Sequence, residues 1–414
     1  MNSELEPSTD LQGTLRRRIL VLASTYPRWN GDSEPGFVHE LNRRLVEYFD
    51  VHVVCPHAPG AADLELLDGV TIHRFRYAPE TLETLVANGG IIANLKRKRW
   101  KWFLVPLFIC GLLVATWRLL KQIKPNCLHV HWILPQGLVI ALLGAFASKM
   151  PPYVLTSHGG DLYSFSGRYF SKLKRWALMR AYAITVVSQP MVAEVVNSGA
   201  DRRRTSVIPM GVDFNERFSL DPKIIRAPNE ILFTGRLVEK KGLKYLIKAL
   251  PLIRERHPGA YLVIVGGGPE QGELTSMVAQ MGLERHVIFR GAMPQSELPN
   301  LYRHAAVFVA PFINAESGDR EGLGLVTVEA LACGCPVVVG DVPVVADIFL
   351  DSEMDMRVEP GNVEGLAEKV SDVLDRPSIA STRALLVRQR LIGKMGWDIV
   401  ARRYARLLAA AACN

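Results

Sequence analysis

The sequence predicts an α/β protein made of two facing, doubly wound domains with a cleft between them. Three observations point to this. Apolar strands alternate with helical stretches almost throughout, the pattern of parallel sheets flanked by helices. At 414 residues the chain exceeds one ordinary core. A polar stretch, Asp221 to Asn229, with two prolines and few large apolar residues, separates two such runs.

Residues 1–15 are polar and acidic up to Gly13, read as a flexible tail without a secretory signal. Strands are expected at Ile19–Ala23, Val51–Cys55, Val70–Arg74, Cys127–His131, Tyr153–Thr156 and Ala183–Val187, with a last one in Ser206–Asp213. Each feeds a loop rich in Gly, Pro, His or Ser, and together they form an N-terminal domain over 16–215. A C-terminal domain over 216–395 opens at Glu230–Gly235. Its later strands are Tyr261–Val265, Val287–Arg290, Val307–Ala310, Pro336–Gly340 and Met356–Val358. A final helical segment occupies 396–414. Facing domains of this kind hold ligands at the carboxyl ends of their strands.

Composition is that of a globular chain, 49% hydrophobic and 22% charged. A formal charge of +8 favours anionic partners without naming one. No nucleic-acid motif is present, and none is expected as a partner. Six scattered cysteines, with only Cys333 and Cys335 close together, form neither a disulfide framework nor a zinc pattern. Free thiols in the cytoplasm are the expectation.

The segment Arg320–Val339 carries the strongest chemistry. Glu321 and Glu329 flank Gly322-Leu323-Gly324-Leu325 and an apolar helix-forming run, which Gly334 and Pro336 stop before a strand. Glu321 is therefore placed in the loop before a helix and Glu329 about one turn inside it. Free amides at a helix start favour a diphosphate. Carboxylates beside such a site suit hydroxyl groups, so a sugar on a nucleotide is the ligand that fits. Two glutamates at this spacing also arise by chance in charged helices; the context decides. The segment resembles the Glu-seven-residues-Glu signature of the family 4 retaining glycosyltransferases, including the trailing Glu-Ala-x-Ala-Cys-Gly-x-Pro-Val-Val. The resemblance implies a GT-B fold of two Rossmann-like domains, with the last helix crossing back to the first. It implies that Glu321 contacts the donor sugar and Glu329 the ribose. It covers roughly residues 18–405 and is strongest over 230–340.

Gly235-Arg236-Leu-Val-Glu-Lys240-Lys241-Gly242 follows a strand, so two long cations reach across a loop, Arg with a forked grip and Lys as a point charge. It resembles the family's Gly-Arg…Lys-Gly diphosphate site, which implies Arg236 and Lys241; Lys240, one residue off, is read as solvent-facing. Val265-Gly-Gly-Gly-Pro-Glu270 fails the dinucleotide spacing because Gln271 takes the third glycine position, leaving close backbone approach or a tight turn. Gly291 and Met293 fall in a stretch resembling the family's base-side loop. In the first domain the loop Ser24–Val38 ends at a helix starting near Phe37, so Gly36 is a candidate to offer backbone amides to the diphosphate. Thr156-Ser-His158-Gly-Gly-Asp161 resembles the family's His-Gly-x-Asp step, implying His158 beside the donor sugar and the reaction centre, with Asp161 orienting the loop. His129 and His131 share a strand face, and His131 is assigned with Asp161 to the acceptor side.

The resemblance implies glycosyl transfer from a nucleotide-sugar, UDP- or GDP-linked, with retention, to a saccharide or lipid-linked acceptor in polysaccharide or glycoconjugate assembly. No Asp-x-Asp pair stands in a suitable loop, so no metal is expected, and no cofactor beyond the substrate. Asp341-Val-Pro-Val-Val-Ala-Asp347 departs from the family's glycine-rich version, and Ser317–Arg320 is variable, so both blur the sugar's identity. Lys96-Arg-Lys-Arg-Trp-Lys-Trp102 suits a headgroup interface, predicting peripheral contact with the inner, anionic face of the membrane. The apolar run Phe103–Trp117 is short of the roughly 18 residues of a spanning helix and is read as buried in its C-terminal half. A nucleotide-sugar epimerase of similar shape and a catalytically silent scaffold anchored through 96–117 are the alternatives.

Overall fold

The computed structural model describes residues 16–29, 32, 36–86, 90–147, 149–163, 167–316 and 318–413, with only the backbone of Ala93 and Lys96. The expected tail, most of the loop 30–35 and Ser317 lie outside the described residues.

Among the described residues, eight strands form the first sheet: β1 (Arg18–Leu22), β2 (Asp50–Pro56), β3 (Leu64–Leu67), β4 (Val70–Phe75), β5 (Cys127–His131), β6 (Tyr153–Ser157), β7 (Ala183–Val186) and β8 (Thr205–Val207). Their order is β3-β4-β2-β1-β5-β6-β7-β8. Six more form the second: β9 (Glu230–Thr234), β10 (Tyr261–Val265), β11 (Val287–Gly291), β12 (Val307–Ala310), β13 (Val337–Gly340) and β14 (Arg357–Val358), in the order β11-β10-β9-β12-β13-β14. All pairings are parallel except β3 on β4. The central strands are runs such as Ile-Leu-Val-Leu and Val-Val-Val because helices cover both faces and neither side can be polar.

Strand order reverses at β1 in one sheet and at β9 in the other. A crevice opens beyond the carboxyl ends of such strands. Across it the loop after β6 touches the loop after β12, and candidate residues also lie in the loops after β1, β9 and β11.

The edge strand β3 was not legible in the sequence, since its Leu64 and Leu66 point to solvent and give no core pattern. The last helix, Trp397–Ala412, packs on the helix Phe37–Leu45 and on β5 and β6. Its Val400, Tyr404 and Leu408 join Ile19, Val21 and Leu41 in one core cluster. Tyr404 Oη lies 3.3 Å from Thr185 Oγ1, and the Arg44 guanidinium stacks over Trp397. Side chains also bridge the domains directly. Arg320 pairs with Glu194, Asp347 accepts from the Gln189 amide, and Arg217 reaches Glu40.

The helix Leu104–Ile123 corrects one expectation. Its C-terminal half is not buried as a whole. Leu112, Thr116, Leu119 and Ile123 face the core, while Val114 and Trp117 are exposed.

Candidate active site

Gly324, at φ 73°, turns the chain from the β12 loop into the helix Leu325–Ala332, and Gly334, at φ 70°, ends it. Glu321 stays in the loop and accepts the Gly324 amide at 3.1 Å. Its other oxygen pairs with Lys241 Nζ at 2.9 Å, and that ammonium also lies 4.8 Å over the Phe312 ring. Both side chains are largely covered. Burial works to raise the Glu321 carboxyl, but Lys241 and Lys240 together hold it below the ordinary carboxylate range.

Glu329 lies deeper, on the helix. It accepts from Tyr302 Oη at 3.3 Å and Gln295 Nε2 at 3.4 Å, and Tyr302 Oη also meets Thr234 Oγ1 at 2.6 Å. Burial dominates here and pushes the carboxyl up to about 7, despite those hydrogen bonds. One glutamate is thus held ionised by a cation, and the other sits poised near neutrality.

Arg236 is exposed at the turn after β9 and has no side-chain partner among the described residues. Lys240 overturns its expected solvent-facing role. The short turn Glu239–Lys241 folds it back so that Nζ donates to Asp319 Oδ1 at 3.0 Å and to the Arg320 carbonyl at 2.9 Å, fastening the segment that delivers Glu321. The glycine loop after β10 packs against the same turn. A Cβ on Gly266 (φ 138°) would come within 1.8 Å of the Gly235 carbonyl. Gly266→Ala is therefore expected to cost about 2–4 kcal/mol from overlap and backbone strain together, read by chemical unfolding. Gly291, at φ 70°, accepts the Gly266 amide through its carbonyl, and Met293 is half-buried beyond it.

From the first domain, the loop after β6 arrives directly on the Glu321 loop. The Gly159 and Gly322 backbones touch, and a Cβ on Gly322 would come within 2.8 Å of the His158 carbonyl. Only glycine at 322 allows this approach, so the resemblance-bearing Gly-Leu-Gly is also a domain contact. Asp161 spends its carboxylate on the Ile133 amide (2.7 Å), Ser157 Oγ (2.9 Å) and the His158 amide (3.3 Å). His131 Nδ1 lies 2.9 Å from His158 Nε2. Both Asp161 and His131 are buried, at 3% and 1% exposure. They are enclosed in the first domain and hold the His158 loop.

His158 Nδ1 is shielded and has no partner among the described residues. Burial pushes His158 and His129 down to about 3 and His131 well below its ordinary value, so all three are neutral at physiological pH. The rings of Phe37 and Trp132 close in on His158, at 4.8 and 5.1 Å. Trp132 has φ 71°, a conformation bulky residues rarely adopt and one that collects at functional sites. Gly36 is half-buried and caps the helix Phe37–Leu45, accepting the Glu40 amide through its carbonyl.

Sequence reasoning passed over Tyr302, Gln295 and Arg217. Nothing local marks them: Tyr302 is one apolar position of a short helix, and only the fold brings it to Glu329.

Two doubly wound, largely parallel sheets, with an ion-paired carboxylate where the loops after β6 and β12 touch, have the GT-B architecture. The family model for glycosyl transferases group 1 matches residues 216–388 and that for glycosyltransferase family 4 matches 37–216. The chain belongs to the family 4 glycosyltransferases, and it is a glycosyltransferase of glycoconjugate biosynthesis. It is 32% identical over 286 residues to a GDP-mannose-dependent α-(1-6)-phosphatidylinositol monomannoside mannosyltransferase of Mycolicibacterium smegmatis, covering 65% of this chain and 74% of that one. It is 27% identical over 418 residues to a glycogen synthase of Mycobacterium tuberculosis, covering 95% of each. Sucrose-phosphate synthase from Thermosynechococcus elongatus has the same fold, with a TM-score of 0.74 at 20% identity over 95% of this chain and 100% of that one. The family membership sets the epimerase alternative aside.

Proposed function

We propose that this glycosyltransferase is a retaining, metal-independent hexosyltransferase that takes a UDP- or GDP-linked sugar and delivers it to a saccharide or lipid-linked acceptor. The observation that carries this reading is the Lys241–Glu321 pair, set against the His158 loop of the first domain. Arg236 and Lys241 bind the diphosphate, with the Gly36 end of its helix facing from the other domain. Glu329 holds the ribose, and Gly291 and Met293 border the base. Glu321, the Gly322–Leu325 backbone and His158 hold the sugar hydroxyls.

In the transfer step the bond from the anomeric carbon to the diphosphate breaks, and the acceptor hydroxyl oxygen bonds to that carbon on the same face. The acceptor proton passes to the departing phosphate. Charge grows on the leaving diphosphate as the bond lengthens, and Lys241 and Arg236 neutralise it where a metal would otherwise serve. A neutral His158 contributes a hydrogen bond and no proton. The GDP-mannose dependence named for the M. smegmatis relative favours a GDP-linked donor, and its phosphatidylinositol mannoside acceptor favours a lipid-linked one. Such an acceptor places the protein at the cytoplasmic face of the membrane, in contact through residues 96–102 apart from the buried Lys101.

Purified protein offered UDP-, GDP- and ADP-sugars tests this by nucleotide release, with and without membrane lipid extract. Release with one donor only when extract is present is expected. Silence with every donor and no nucleotide binding would favour the scaffold.

A further inference from the structure

The helix Leu104–Ile123, with the turn Arg99–Phe103 before it, carries two apolar stripes. One, Leu104, Phe108, Leu112, Thr116, Leu119 and Ile123, packs into the first domain against β2, β4 and the helix Leu138–Phe146. The other, Phe103, Leu107, Cys110, Val114 and Trp117, recurs at the same helical spacing and faces solvent, with Phe103 82% and Leu107 50% exposed. Trp100 and Trp102 are exposed at its start, so indoles stand at both ends.

The charges along this segment of the chain have one sign. Residues 84–160 contain nine Lys or Arg and no Asp or Glu. Arg97, Lys98 and Arg99 precede the stripe, and Arg118, Lys121 and Lys124 follow it, all exposed.

The face also has a definite place relative to the cleft. The helix ends at Ile123, and Asn126, just before β5, donates to the Arg18 carbonyl at the amino edge of the sheet. It therefore runs from the carboxyl edge to the amino edge. Gly111 lies against Phe75 and Arg76, where β4 ends. At 1.5 Å per residue, Phe103 stands about 12 Å beyond that point, on the side where the cleft opens. Lys101 Nζ pins this projecting end to the Thr84 carbonyl and Asn94 Oδ1.

We infer that this outer face is a membrane-inserting surface, with Phe103, Leu107, Val114 and Trp117 entering the acyl boundary of an anionic bilayer and the flanking cations resting among its headgroups. The inference rests on the membrane-contact reading above and deepens it: the contact is apolar insertion along the helix, and it brings the cleft mouth to the lipid surface. Residues 99–123 are long and apolar enough to cross a membrane, but the buried stripe is tied to β2 and β4, so the helix lies in the interface. Charge complementarity selects the occupant. A second copy docked here would set rows of cations against each other with no carboxylate from this region to answer them.

Vesicle flotation of the full chain tests this, using phosphatidylcholine with and without phosphatidylglycerol at low and high salt. The wild type is expected to float with the anionic vesicles, to keep part of that binding at high salt, and to show quenching of tryptophan emission by brominated acyl chains. The variant carrying Phe103→Glu and Leu107→Glu, both exposed positions, should lose about tenfold or more in partitioning. The pair Lys98→Glu and Arg99→Glu should lose the preference for anionic lipid. Failure of the wild type to float, or flotation of the Phe103→Glu/Leu107→Glu variant equal to wild type, overturns the inference. So does a dimer in solution that Phe103→Glu splits. Nucleoside diphosphate binding without vesicles is measured in parallel; if it persists while flotation fails, the membrane inference falls and the transferase reading stands.

Discussion

Lys241→Ala is expected to lower kcat/KM for the donor by about 10²–10³-fold, the range seen when one preorganised charge-stabilising group is removed. Two losses combine. The departing diphosphate loses the ammonium that meets its growing charge, so kcat falls together with donor affinity. Glu321 loses its ion pair 2.9 Å away while remaining buried. In the wild type the depressed Glu321 carboxyl contributes stability at neutral pH, which fades only as pH falls through that lowered value. Without Lys241 burial gains weight, the carboxyl titrates higher, and activity should acquire an acid limb absent from the wild type. Lys240→Ala serves as the comparison. It frees Asp319 and Arg320 but leaves the Lys241–Glu321 pair, so its effect should be smaller and without the new limb. Steady-state kinetics across pH separates the two. Equal losses in both variants would argue that the lysines act only by shaping the loop.

Glu329→Gln is expected to raise the donor KM by about 10–100-fold, the loss of charge-assisted hydrogen bonds to a ligand hydroxyl. A pH effect accompanies it. The folded carboxyl titrates at about 7, above its ordinary 4.5. Between those values the native state holds more protons than the unfolded chain, so Glu329's contribution to stability falls as pH rises through this window. Donor binding runs the other way. The ionised form accepts from the ribose, so donor kcat/KM should climb with pH up to about 7 and then level. Tyr302→Phe removes a hydrogen bond that lowers the Glu329 carboxyl and should move the climb to higher pH; Glu329→Gln should abolish it. The neutral histidines predict no separate limb near 6.5.

Much of the frame was legible because buried parallel strands write themselves as short apolar runs. Cys127–His131, Glu230–Thr234, Tyr261–Val265 and Val307–Ala310 fall where the apolar pattern ends at glycine, proline or polar residues. The Glu321–Glu329 segment was legible for a related reason: the glycines that turn it and the proline that stops it are local requirements. Three things were not. Lys240 and Lys241 are adjacent cations with identical local chemistry, and only the turn Glu239–Lys241 decides which meets Glu321. The partners of Glu329 come from elements 27 and 34 residues away. The helix Leu104–Ile123 is apolar on two faces, so its composition resembled burial, and exposure became visible only once the sheet claimed one stripe.

Calorimetric titration with UDP and GDP, comparing wild type with Lys241→Ala and Glu329→Gln, reads the nucleotide site alone, because it needs neither the sugar nor the acceptor. The site described here predicts one nucleoside diphosphate bound per chain, with binding lost or severely weakened in Lys241→Ala and reduced in Glu329→Gln. Binding of neither nucleotide, or equal binding by all three proteins, would contradict it.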